Sequence, residues 1–185
     1  PVVFIEHRWL HNMKGEVPIG DYRIPIGKAK LINEGDDITI VSMSYLTIEA
    51  KLAMEYLKEM NINVDLIDLR TIKPIDWDTI YTSVKKTGNL LALDIGHATN
   101  SVSSEILAKV SMDCYDFLNC SPKRLALPDF PVPTGFSLTK GFFKSAEDII
   151  ENVCQMLGVK NNDPIIIDRG DTPHDVPGDW FKGPF

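Results

Sequence analysis

Between residues 38 and 157 the sequence keeps changing period. Short runs rich in Ile, Val and Leu, each of strand length, are followed by stretches in which apolar residues recur every three or four positions. That alternation excludes most architectures. Strands separated by single helices pair in parallel through right-handed crossovers, and the sheet they form must be covered on both faces. The strand-like runs are 38–42 (ITIVS), 64–68 (VDLID), 90–94 (LLALD) and a short one at 124–127. Leu46, Ala50, Ala53, Leu57 and Met60 then mark an amphipathic helix over 46–60, with Ser44 placed to cap it. Asp76 can cap a second helix over 77–86, and Lys85, Lys86 and Gly88 suit its C-terminal end. A third helix is expected over 102–112. A fourth opens at Ser145, with Asp148 at capping-box spacing and Ala146, Ile149, Ile150, Val153 and Leu157 on one face. Residues 27–31 form one more β-like run, joined to 38–42 by Asn33-Glu34-Gly35-Asp36-Asp37, a composition suited to a hairpin turn. The expectation is an α/β domain over residues 25–158 with a mainly parallel sheet.

Composition narrows the partners. With 185 residues and 44% hydrophobic content the chain can bury a core without a disulfide or metal staple. Its 19 basic against 26 acidic residues give a net charge of −7, and no basic cluster exceeds the pair Lys85-Lys86, so neither nucleic acid nor an anionic membrane is an expected partner. No apolar stretch approaches the roughly 18 residues of a membrane span. Cys114, Cys120 and Cys154 include no C-x-x-C pair and read as inert thiols. They suit a reducing compartment, the cytoplasm or, in a eukaryote, the mitochondrial matrix.

The flanks read differently. Residues 1–6 (PVVFIE) have the composition of a buried strand that needs neighbours, and with no methionine ahead of Pro1 the expectation is a piece of a longer protein. Residues 7–24 read as a linker. Residues 159–185 are rich in Pro and Gly yet carry Trp180, Phe181 and Phe185, so they are expected to pack on the domain or dock a partner.

No motif sets a nucleophile beside a base. G-x-S-x-G, the P-loop and G-x-G-x-x-G are all missing. His7 and His11 stand four apart but lack the glutamate of H-E-x-x-H, and read as packing residues; Arg169-Gly170-Asp171 reads as a chance tripeptide in a turn-rich tail. The informative position is Asp94-Ile95-Gly96-His97, followed by Thr99, Asn100 and Ser101. It lies at the C-terminal end of an expected central strand, where open α/β sheets bind ligands.

Several segments in order, PVVFIE, VPIGDYRIPIGKAKLINEGDDITIVS, VDLIDLRTIKPID, SVKKTGNLLALD and SSEILAKV, resemble the β subunit of thiamine-diphosphate-dependent 2-oxo acid dehydrogenases, the E1 component of the pyruvate and branched-chain complexes. The likeness covers residues 1 to about 157, and Ile26-Gly27-Lys28-Ala29 and 68–76 (DLRTIKPID) are its most diagnostic parts. It implies a three-layer α/β/α fold of the transketolase C-terminal type, with residues 1–6 as the last strand of a preceding pyrimidine-binding domain. It further implies thiamine diphosphate and Mg in the full enzyme, held by domains outside this chain, with no cofactor-binding, metal-ligating or catalytic residue here except His97 as a candidate. Asp94, Gly96, His97 and Asn100 become a candidate substrate-channel or interface loop, and Trp180, Phe181 and Phe185 candidate docking residues. The implied partners are an E1 α subunit, a second β subunit and the E2 acyltransferase, in a homo-oligomer or heterotetramer. The loop at 96–104 (GHATNSVSS) and the tail beyond 158 depart from the common pattern. Two other readings of the same fold stay open: a transketolase-like enzyme, and a non-enzymatic ligand-binding or interaction module.

Overall fold

The computed structural model describes residues 1–160 and 164–183. Five strands, β1 (Lys30–Asn33), β2 (Ile38–Ser42), β3 (Val64–Asp68), β4 (Leu90–His97) and β5 (Lys123–Leu127), form one sheet in the order β1-β3-β2-β4-β5. All neighbours are parallel except β1, which runs antiparallel to β3 at the edge. The helices are α1 (Leu46–Glu59), α2 (Trp77–Thr87), α3 (Val102–Asp113) and α4 (Ala146–Leu157).

Alternation along the central strands sends side chains to two separate cores. Ile38, Ile40, Leu91 and Leu93 pack with Ala50, Ala53 and Leu57 of α1 and Ile149, Ile150 and Val153 of α4. Val41, Ile67, Leu90 and Ala92 pack with Ile80 and Val84 of α2 and Ile106 and Val110 of α3. The result is the three-layer α/β/α arrangement, in which β2 and β4 are buried on both faces as parallel strands must be.

Capping chemistry sets the helix ends. Asp76 accepts from Thr79 N–H at the start of α2, and Gly88 closes the helix at φ 71°, a left-handed conformation that glycine adopts without strain. Ser145 and Asp148 complete a capping box on α4. Ser44, expected to cap α1, does not: its backbone is left-handed at φ 55°, Tyr45 holds the N-cap position, and no side chain caps it.

One further expectation is corrected. The β-like run expected at 27–31 forms its strand at Lys30–Asn33 and makes no hairpin with β2, because β3 inserts between them; Asn33 and the turn after it instead lead the chain across the bottom of β3, where Gly35 N–H donates to Asp65 (3.1 Å) and Asn33 to Val64 O (2.7 Å). Within this chain residues 1–6 pair with no strand and are exposed. Phe4 and Ile5 are 83% and 81% exposed, as a segment whose expected partners lie outside this chain would be. Residues 7–10 do settle on the domain, where a 3-10 turn at Arg8–Leu10 places Trp9 edge-on against Tyr45 (4.8 Å) and Phe143 (5.2 Å).

Candidate functional site

β2 and β4 are adjacent, yet the chain leaves β2 through α1 toward β3 and leaves β4 through α3 toward β5, on opposite sides. That divergence opens a crevice at the C-terminal ends of the two strands, the position where ligands of open α/β sheets bind. A cavity of about 270 Å³ lies there. Its floor is Ile95 and Leu127 at the ends of β4 and β5, with the backbone turn at Asp94 beside them; Tyr45 and Leu46 at the start of α1 form one wall, and Phe143 and Lys144 before α4 the other. His7 and Trp9 of the N-terminal arm complete it. None of these arm, Tyr45 or Phe143 positions is marked by a sequence motif; they meet only because the arm folds back and α1 and α4 start side by side.

Asp94 is buried and holds the loop rather than facing the cavity. Its two oxygens accept Gly96 N–H and Ser103 N–H, each at 2.9 Å, which ties the end of β4 to the start of α3 on the α2–α3 side of the sheet. A Cβ at Gly96 would stand 3.2 Å from the Asp94 carboxylate, so the glycine allows that close turn. His97 ends β4 with Nδ1 on Pro128 O at 2.6 Å, and because a carbonyl only accepts, Nδ1 carries the proton. Asn100 is left-handed at φ 57° and shapes the turn before Ser101, which caps α3 by accepting Ser104 N–H at 3.2 Å. Asp129 accepts both Thr99 N–H (2.9 Å) and its hydroxyl (2.7 Å), and those two bonds, with smaller help from His97, hold its carboxyl below the usual range. Asp94, Gly96, His97 and Asn100 therefore do form one loop, braced against residues 128–129, but only Asp94 borders the cavity.

A second constellation escaped sequence reading. Glu49, in the first turn of α1, is 1% exposed and collects Tyr45 hydroxyl (2.5 Å), Ala146 N–H (2.7 Å) and both arms of the Arg169 guanidinium (3.1 and 2.7 Å). Arg169 also reaches Glu147 at 3.0 Å, and these hydrogen bonds, first to Glu49, raise its pKa. Burial, then the neighbouring Glu49 charge, drives the Tyr45 hydroxyl up, so it stays a donor. Burial opposes ionisation of Glu147, but its bond from Arg169 with its own and Ser145's donors leaves it below the ordinary glutamate value. The Arg-Gly-Asp triplet thus has a structural first member. Arg169 pins a tail whose Ile167 is buried in the α1–α4 core.

The tail then runs back to the arm. His174 Nε2 lies 3.0 Å from both Thr139 hydroxyl and Phe136 O, the Trp180 indole donates to Trp9 O at 3.0 Å, and Lys182 N–H donates to Asn12 at 3.2 Å. Trp180 is engaged within the chain, Phe181 is half-buried, and Phe185 lies outside the described residues. His7, half-buried against Tyr45 and Trp9, has its pKa lowered by burial first and by His11 second. Among the described residues no group of three or more His, Cys, Asp or Glu side chains could hold a metal ion, and no helix is long and apolar enough to cross a membrane.

A parallel α/β/α sheet with an antiparallel edge strand and a crevice at its topological switch point defines the class. Residues 27–149 match the family described as transketolase, C-terminal domain, and the chain belongs to that family. It is similar to a pyruvate dehydrogenase E1 component subunit beta of Rickettsia bellii, 37% identical over 163 residues that make up 86% of this chain and 49% of that protein. It is also similar to the acetoin:2,6-dichlorophenolindophenol oxidoreductase subunit beta of Bacillus subtilis, 34% identical over 158 residues, 85% of this chain and 46% of the relative. The chain spans about half the length of the curated relatives it matches. Among solved structures, a split gene transketolase described as an inactive beta4 tetramer shares the fold, with a TM-score of 0.65 and 24% identity over 80% of this chain and 48% of that one.

Proposed function

We propose that this chain is the C-terminal domain of an E1 β-like subunit of a 2-oxo acid dehydrogenase, in which it serves subunit assembly and docking of the E2 acyltransferase. The observation that carries this reading is the likeness to subunits named beta, in which 34–37% identity extends across more than four-fifths of the chain. The exposed apolar surface supports it. Val2, Val3, Phe4 and Ile5 in the arm, and Ile24, Ile26 and Ile72 beside β1, are at least half exposed, an amount of apolar side chain that an isolated soluble domain seldom leaves uncovered. In this reading the surface meets an E1 α subunit and a second β subunit in a heterotetramer.

The whole enzyme would use thiamine diphosphate and Mg to decarboxylate a 2-oxo acid and pass the acyl group to lipoamide. The lining of the crevice would suit that cofactor poorly: it is walled by rings, the ammonium bordering it is that of Lys144, and the acidic groups near it are committed to backbone N–H groups and to Arg169. The cofactor would lie in domains outside the chain, and this domain would act through buried area. His97 would contribute from the loop at the end of β4, held at a fixed angle by Pro128. The three free thiols suit work in the cytoplasm or, in a eukaryote, the mitochondrial matrix.

A chimera tests the assignment. The C-terminal half of the Bacillus subtilis beta subunit is replaced by this chain and co-expressed with its alpha partner. Co-elution as one assembly that oxidises acetoin with reduction of 2,6-dichlorophenolindophenol supports the proposal, and His97→Ala in it should lower turnover. A folded chimera that does not associate with the alpha subunit refutes it.

A further inference from the structure

The crevice presents hydrogen-bond donors within an acidic molecule. The chain carries a net charge of −7, yet the ionisable side chains that border the cavity are Lys144, His7, Tyr45 and Asp94, and the Asp94 carboxylate is turned away onto Gly96 and Ser103 N–H. Tyr45 spends its proton on Glu49. Lys144 makes no ion pair among the described residues; its ammonium donates to Gly141 O at 3.2 Å, which leaves two of its three donor positions. Burial lowers the His7 pKa, and its Nδ1 accepts Trp9 N–H at 3.3 Å, so in the neutral ring the proton sits on Nε2 as a further donor. Donors without acceptors, set in a cavity walled by Trp9, Tyr45 and Phe143, define an anion with an apolar body.

We propose that this crevice binds a compact apolar carboxylate, its acid group on Lys144 and His7 and its hydrocarbon part against Trp9, Tyr45, Phe143 and Leu127. The volume of about 270 Å³ sets the size. It exceeds the roughly 150 Å³ that accommodates benzene and falls short of the larger pockets, from about 300 Å³, that take drug-sized ligands, which points to one ring or one branched chain. A carboxylate, with an apolar body, fits better than a phosphate because rings rather than backbone N–H groups surround the donors. The tail completes the site: the Trp180 indole on Trp9 O and Lys182 N–H on Asn12 hold the arm that contributes His7 and Trp9. This inference stands on the cavity alone and does not depend on the assembly proposed above.

Calorimetric titration of the full chain with 3-phenylpropanoate, 3-phenylpropanamide, acetate and inorganic phosphate tests it. The acid should bind saturably, and the amide, acetate and phosphate each at least about tenfold more weakly, the discrimination expected of a charge-assisted hydrogen bond. Lys144→Met should weaken the acid by about tenfold and leave the amide unchanged, with far-UV circular dichroism confirming the fold. Equal binding of acid and amide, an acid affinity unchanged by Lys144→Met, or no saturable heat with any of the four at millimolar concentration would each overturn the proposal. The acid–amide comparison is made on the unaltered chain, so it decides the matter even if a variant misfolds.

Discussion

Replacing Arg169 with methionine removes the cation that faces Glu49 while keeping most of the aliphatic stem. The Glu49 side chain is 2% exposed and that of Arg169 27%. After the change the carboxylate retains the Tyr45 hydroxyl and Ala146 N–H but has lost both guanidinium bonds, and its charge is left in the interior. Breaking a buried pair from one side costs about 3–5 kcal/mol. Because the guanidinium is partly solvated, water can enter where it stood, and the lower end, about 3 kcal/mol, is the expected value. For a chain of this length that corresponds to a fall in Tm of roughly 6–12 °C. The double variant Glu49→Leu with Arg169→Met removes both charges, and should recover to within about 1–2 kcal/mol of the wild type, since an apolar replacement of a buried pair is often neutral. Urea titrations followed by circular dichroism give the four corners of the cycle. An Arg169→Met variant within about 0.5 kcal/mol of wild type, with no coupling to Glu49, would show that the tail contact carries no stability and that the reasoning from burial is mistaken.

Asp76 offers a pH test. Burial pushes its carboxyl up, but Ala29 N–H, the N–H and hydroxyl of Thr79 and the charge of Lys28 outweigh that and hold it below the usual aspartate value. A depressed folded pKa means a contribution that is complete above the unfolded value of about 3.9 and is lost as pH falls through the folded one. The stability gap between wild type and Asp76→Asn should accordingly be flat near neutrality and close only below about pH 4 in urea titrations; a gap that widens on acidification would contradict the sign. Gly88→Ala should cost about 1–3 kcal/mol in the same assay, because the residue is left-handed and its Cβ would collide with the Asn119 side chain. A neutral result there would mean that the 119 loop yields freely. Asp94→Ala strips the acceptor from Gly96 and Ser103 N–H and should cost about 1–3 kcal/mol, with faster amide exchange confined to the turn at 94–103. Unchanged exchange at Ser103 would remove Asp94 from its structural role.

The layered fold was legible because each of its layers writes a period into the sequence. Ile38, Ile40, Leu91 and Leu93 alternate with Val41, Leu90 and Ala92, and the two sets go to different cores. Caps were legible where the chemistry is local, as at Asp76, Gly88 and Ser145. Ser44 failed as a cap because the crossover from β2 turns sharply there, and a left-handed backbone takes the side chain out of capping position. The false hairpin has a similar cause: a turn-like composition at 33–37 reports that the chain bends and says nothing about which strand it then joins. At the site, the loop after β4 could be read from its place at a strand end. The aromatic crevice could not, because its rings come from residues 9, 45 and 143, with only strand ends and packing to unite them.

Glu49 and Arg169 show why the tail belongs to the domain in energetic terms. The family match ends at residue 149, so Glu49 lies inside it and Arg169 beyond it, and a carboxylate in the heart of the domain is neutralised by a residue outside the matched span. The two positions are coupled by desolvation: a buried glutamate is tolerable only with its cation, and an arginine in the tail gains a bidentate partner only if position 49 is acidic. A relative whose chain ends soon after α4 has no such cation to offer. At the position equivalent to Glu49 it should therefore carry a neutral residue, or else a carboxylate that reaches solvent. Grafting glutamate there without residues 164–183 should destabilise that relative by about the 3 kcal/mol expected for Arg169→Met, and adding the tail should restore it. If the graft is silent without the tail, the α1–α4 junction is wetter than the 1% exposure of Glu49 indicates, and the tail would hold the arm without also neutralising the core.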